Sequence, residues 1–196
     1  LGSGADAVAV VGGHLPPGAG VLAAFEDAFE TPLGPILNDV DLLSELGRRL
    51  KLRPDTAADN TVEVQLPMVK HRFPDAKILY LRAAPSEAAV ALGEAIHTCA
   101  AELGRDVRVL GSTDLTHYGP AYGMVQHGTG REALEWVRDV NDRAIIDAFV
   151  SLDPDRAIEV ANVSRAACSV GAGVAAGSFA RSVGADTGRL LGYYTS

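Results

Sequence analysis

The chain has 196 residues, of which 47% are hydrophobic, with 17 Lys and Arg against 25 Asp and Glu and a formal net charge of −8. That length and apolar content predict one domain over residues 1–196, burying roughly 70% of the surface an unfolded chain exposes. There is no basic block to neutralise phosphates, no apolar run near the roughly 20 residues that cross a bilayer, and no signal-peptide pattern, so the expectation is a cytoplasmic protein that binds neither nucleic acid nor membrane.

In chain order, residues 7–13 (AVAVVGG) are apolar without alternation, the pattern of a strand buried on both faces. The run ends in Gly12, Gly13, His14, Pro16 and Pro17. Glycines let the backbone turn sharply and prolines stiffen the loop, so His14 is held where a ligand could meet it. An ordinary loop histidine fits the same residues. The glycines form neither a GxGxxG nor a Walker loop. Helices are predicted over 41–50 and 61–73, the second starting within DNTVEVQLP, in which Asn60 and Glu63 make a variant capping box. Residues 76–83 (AKILYLRA) read as a second strand. A helix over 86–103 comes next, capped by Ser86, with Ala89, Leu92, Ile96, Cys99 and Leu103 on one stripe, which places Cys99 in the core.

Residues 107–112 read as a third buried strand, which then turns polar in STDLTHYGP. Asp114, three residues before His117, can hold the imidazole in one tautomer, an arrangement common to metal ligands and general bases. A helix cap at Asp114 or Thr116, with His117 merely exposed, is the alternative. Helices are predicted over 131–149, 154–160 and 168–183, and a last strand over 189–196 (RLLGYYTS). Cys168 opens the third of these helices, where the helix N-terminus favours a thiolate; burial as core filler is the plainer reading. Two cysteines are too few for a disulfide framework. The alternation of elements predicts an α/β layered domain, a central sheet flanked by helices, with strand order unspecified.

Taken together and in order, VVGGH, TPLGPILNDVDLLSEL, DNTVEVQLP, STDLTHYGP, AACSVG and GYYTS resemble the Memo family, also described as AmmeMemoRadiSam system protein B. The resemblance runs over residues 8–196. That family is similar in fold to LigB-type class III extradiol dioxygenases, which implies a metal cleft at the strand ends. The resemblance further implies metal ligands at His14 and Cys168, and an acid/base histidine at His117, oriented by Asp114. Three departures accompany it. The family's first ligand histidine, in a Pro-His-Ala-Gly turn, has no counterpart in the sequence, as though the family's N-terminal segment were lacking. Asn60 stands where the family has His, and Ser169 where it has Gly after the cysteine.

The leading expectation is a metal-dependent oxidoreductase-like protein acting on a small-molecule substrate. Its cofactor would be a transition metal, iron first, with copper and zinc also suited to imidazole and thiolate. Expected partners are a second copy of the chain or other AmmeMemoRadiSam components. The main alternative is a non-catalytic binding or scaffold protein with a degraded metal site. A third reading is metal-free covalent catalysis, with Cys168 as nucleophile, His117 as base and Asp114 as orienter.

Overall fold

The structure, a computed structural model, describes residues 4–57 and 59–195. Seven strands and eight α-helices occur among them: β1 (Ala7–Gly12), β2 (Val21–Ala23), β3 (Ala28–Phe29), β4 (Ile36–Leu37), α1 (Val40–Arg49), β5 (Leu52–Pro54), α2 (Asn60–Glu63), α3 (Leu66–Arg72), β6 (Lys77–Ala83), α4 (Glu87–Leu103), β7 (Val107–Gly111), α5 (Arg131–Trp136), α6 (Asp142–Val150), α7 (Pro154–Ser164) and α8 (Val170–Ser182). The main sheet has the order β5-β2-β6-β1-β7, and β3 and β4 form a separate small hairpin.

The three apolar runs are the middle and one edge of this sheet. β1 pairs in parallel with β6 (Val11 opposite Leu81) and with β7 (Val11 opposite Gly111). β2 runs antiparallel to β6, which makes the sheet mixed. Helices cover both faces. On one, Ala7, Ala9 and Val11 of β1 pack with Leu92 and Ile96 of α4 and Val174 of α8; on the other, Val8 and Val10 pack with Val62 of α2 and with Leu66 and Val69 of α3. Burial on both faces is why β1 and β6 read as apolar runs; β7, the edge strand, is covered on one face only, with Arg108 and Leu110 exposed, where burial on both faces was expected. Cys99, with no exposed surface, is part of the first layer. Burial pushes its thiol pKa above the ordinary value. No helix among the described residues is long and apolar enough to cross a membrane.

Several elements depart from the sequence reading. The helix expected over 61–73 is two, α2 and α3, with Pro67 in the first turn of α3, where its missing N–H breaks nothing. The cap of α2 is Asp59, whose carboxylate accepts the Thr61 N–H at 3.0 Å, rather than an Asn60–Glu63 box. The helix over 131–149 is interrupted by a π turn, Val137–Asn141. Residues 189–195 form no strand; the segment lies along α6 instead, tied by Gly188 N–H to Val150 O (2.7 Å) and by Tyr193 to Asp142. Cys168 precedes the N-cap of α8, Ser169, instead of opening the helix.

Because β1, β6 and β7 are parallel, their C-terminal ends share one edge, and the first turn of α8 is driven against it. A Cβ on Gly171 would come 2.3 Å from Ala83 O, and one on Gly13 would come 2.5 Å from the Ser169 Cβ. Only glycine permits both approaches.

Candidate metal centre

The loop after β7 has no regular secondary structure from Ser112 to Tyr118. It is held to the segment before α8 by a reciprocal pair of bonds: the Cys168 N–H donates to Asp114 O (3.1 Å), and the Asp114 N–H donates to the Cys168 Sγ (3.4 Å). The Ser169 N–H adds a bond to Thr113 Oγ1 at 3.0 Å. A bond from N–H to sulfur is accepted most strongly by a thiolate, the form that binds metal.

On the same loop, His117 Nε2 lies 3.1 Å from Asp114 Oδ2, and the His117 ring packs at 4.8 Å against Tyr122. A carboxylate, an imidazole and a thiol thereby converge: ligand atoms of Asp114, His117 and Cys168 all lie within 4.8 Å of one another. The group is open to solvent on one side, with the Asp114 side chain 77% exposed. Asp114 and His117 line a cleft of about 900 Å³ whose walls include Leu115, Tyr118, Tyr122, Leu134 and Val137. An oxygen, nitrogen and sulfur donor set at this spacing suits a first-row transition metal, with room for a further ligand.

His14 is tied by its backbone to the residue after Cys168 and by its ring to Asp59. Its backbone, at φ +54°, donates N–H to Ser169 Oγ at 3.2 Å, one residue from Cys168. Its ring turns to Asp59, with Nδ1 3.1 Å from Oδ2. The carboxylate can only accept, so Nδ1 is the donor in this pair. Asp59 in turn accepts from Thr61 and forms an ion pair at 3.2 Å with Arg82, which also pairs with Asp55 at 3.2 Å and donates from Nε to Gly13 O at 2.8 Å. Burial by itself would raise the Asp59 pKa. The Thr61 hydroxyl and N–H, the Arg82 guanidinium and His14 outweigh it and hold the carboxyl below its ordinary value. The nearby Tyr80 phenol, buried and donating to Asp59 O, is pushed up to about 12.

Comparison with known proteins was decisive on one point. The family model described as Memo-like protein matches residues 3–196. The chain belongs to the Memo-like family. A MEMO1 family protein of Methanopyrus kandleri is 31% identical over 97% of this chain and 66% of its own length, and one of Pyrococcus furiosus is 32% identical over 93% and 66%. Another, from Methanocaldococcus jannaschii, is 28% identical over 93% of this chain and 62% of its own. The chain thus spans about two thirds of the length of the curated relatives it matches.

In this Memo-like protein, the structure brings together three of the four residues singled out by sequence, Asp114, His117 and Cys168, while the His14 ring is engaged with Asp59 outside their group. Asn60 is exposed and does not join them. Sequence reasoning missed Asp59, Arg82 and Asp142. Arg82 had a signal, a charge directly after the apolar ILYL stretch of AKILYLRA, which must find partners when the strand is buried on both faces.

Proposed function

We propose that this Memo-like protein binds a transition metal through Asp114, His117 and Cys168 and uses it in oxidoreductase chemistry on a small molecule held in the adjoining cleft. The observation that carries this reading is the 4.8 Å convergence of a carboxylate, an imidazole and a thiol. Three protein ligands with an open side are the arrangement of a catalytic rather than a structural centre. Iron is the first candidate because it supplies redox chemistry at such a site; copper and zinc accept the same donors. His117 is then a ligand rather than the proton carrier, and its Nε2–Asp114 hydrogen bond gives way when both side chains turn their lone pairs to the metal. His14, with Nδ1 committed to Asp59 and Nε2 free, is the residue to supply a fourth ligand or to move a proton at the rim.

Cobalt(II) titration of the purified apoprotein, monitored by thiolate-to-metal absorption, tests the reading. One equivalent is expected to bind, with affinity falling by about 100-fold or more in Cys168→Ser and His117→Ala, beyond what loss of an outer-shell partner costs. His14→Ala should retain the charge-transfer band. A folded wild-type protein that takes up no cobalt, iron or zinc would sink the metal reading and leave the binding or scaffold role, to which Asn60, exposed and apart from the three donors, already points.

A further inference from the structure

Asp142 is a carboxylate 4% exposed, and no Lys or Arg pairs with it among the described residues. Three donors from two other parts of the chain converge on it. Oδ1 accepts the Thr116 N–H at 3.0 Å and the Thr116 hydroxyl, and Oδ2 accepts the Tyr193 hydroxyl at 2.7 Å. Asn141, 3% exposed, donates from Nδ2 both to Thr116 Oγ1 (2.9 Å) and to Ser164 O (3.1 Å). Both residues lie on the buried face of α6 with Ile145 and Ile146, directly after the π turn Val137–Asn141. Such turns recur at functional sites, where they displace side chains from the regular helical face.

Thr116 lies between Asp114 and His117 in a loop without regular structure, so its two bonds to Asp142 fix the stretch that presents two of the three donors. Tyr193 is followed by Tyr194 and Thr195, which line the same cleft as Asp114 and His117. We infer that Asp142 is the positioning residue of the centre: one buried carboxylate sets the loop that carries Asp114 and His117 and anchors the C-terminal segment that walls the cleft. The inference rests on the metal reading given above. Asp142 touches none of the three donors and acts through Thr116. An asparagine can replace it in this role, its Oδ1 accepting from Thr116 and its Nδ2 donating to the Tyr193 oxygen, whereas alanine cannot.

Cobalt(II) binding to Asp142→Ala and Asp142→Asn, with hydrogen exchange at the Thr116 amide in the apoprotein, tests this. Asp142→Ala is expected to lose cobalt affinity by about 10- to 100-fold, the usual effect of removing an outer-shell partner, and to shift the d–d bands. Asp142→Asn should stay within about threefold of wild type with an unchanged spectrum, since its geometry is kept. Thr116 exchange should accelerate only in the alanine variant. Wild-type affinity and spectrum in Asp142→Ala overturn the inference, and so does an asparagine variant as defective as the alanine one, because charge rather than position would then be at work. If Asp142→Ala loses its helical circular dichroism, Thr116→Ala replaces it; weaker cobalt binding with a shifted spectrum supports the role, and unchanged binding overturns it. If the wild type binds no cobalt, the metal reading fails on its own. The Thr116 exchange then decides: acceleration in the alanine but not the asparagine variant supports the positioning role, and any other pattern overturns it.

Discussion

Replacing Asp59 by Ala removes the acceptor shared by the α2 N-terminus, Arg82 and His14. Arg82 and Asp59 side chains are only 6% and 8% exposed, so the guanidinium left behind cannot recruit water freely. Loss of the cap costs about 1 kcal/mol. Breaking a buried ion pair outright costs about 3–5 kcal/mol, but Asp55 remains at 3.2 Å from Arg82, so about 2 kcal/mol is the fitting share. The sum, about 3 kcal/mol, corresponds to a melting temperature lower by about 6–12 °C for a chain of this size. The pH dependence has a defined sign. The Asp59 carboxyl is held below its ordinary value in the folded protein, so its contribution is complete above the unfolded pKa of about 3.9 and is lost as pH falls through the lower folded value. Thermal melts of wild type and Asp59→Ala should therefore be separated fully at pH 5 and less at pH 3. Melting temperatures within about 2 °C of each other at pH 5, the shift expected from one weak surface contact, would refute the assignment of Asp59 as the keystone of this network.

Ile96→Ala, at a fully buried position in the middle of α4, should lower stability by about 2–5 kcal/mol in urea unfolding without changing cobalt affinity. In the native protein one thiol, Cys168, should react with a thiol reagent and the second, Cys99, only after denaturation, because Cys99 is buried and its thiol pKa is raised; native Cys168→Ser should then give no reaction. Gly171→Ala forces a Cβ to 2.3 Å from Ala83 O, so it should destabilise by about 1–3 kcal/mol and also weaken cobalt binding, since the first turn of α8 must move and carries Cys168 with it.

The parts of the fold that were legible are those whose burial is long and two-sided. β1 and β6 announce themselves because their residues are mostly apolar runs buried on both faces, and α4 because Ser86 caps a stripe that runs to Leu103; β7 is apolar enough to read as a strand although Arg108 interrupts it and only one face is covered. β2 and β5 are three residues each, Val-Leu-Ala and Leu-Arg-Pro, too short for any period to appear; β2 exists because β6 offers a partner edge, and β5 because β2 does. The segment 189–195 shows the reverse. RLLGYY has the composition of a strand, but the Tyr193 hydroxyl finds the buried Asp142, and the backbone follows that anchor instead of a ladder. Burial and that bond raise the Tyr193 pKa, so the phenol keeps the proton it donates.

Within the site, Asp114 and His117 were legible because a spacing of three within one loop makes their meeting a local matter. Their link to Cys168 is not local: it crosses 54 positions and depends on the backbone pair that joins the two loops. Asp142 was illegible for a more specific reason. Read as one regular helix over 131–149, Leu134 belongs to the face that carries Ile145; Asp142, three and four residues before Ile145 and Ile146, is on that apolar face as well, but nothing near it in sequence shows what would satisfy a carboxylate there. The π turn inserts an extra residue and rotates the preceding stretch by about 100°. Ala133 and Val137 then turn inward and Leu134 and Val140 are left 47% and 54% exposed, while Asn141 and Asp142 keep their place on the buried face of α6. Exposing two aliphatic side chains while burying an amide and a carboxylate is unfavourable for α5 and α6 taken alone. What offsets it lies outside those helices, in the Thr116, Ser164 and Tyr193 groups that satisfy the two buried side chains. A helix distorted against its own apolar pattern, and satisfied only by groups beyond it that include the loop carrying Asp114 and His117, is shaped by the requirements of that loop.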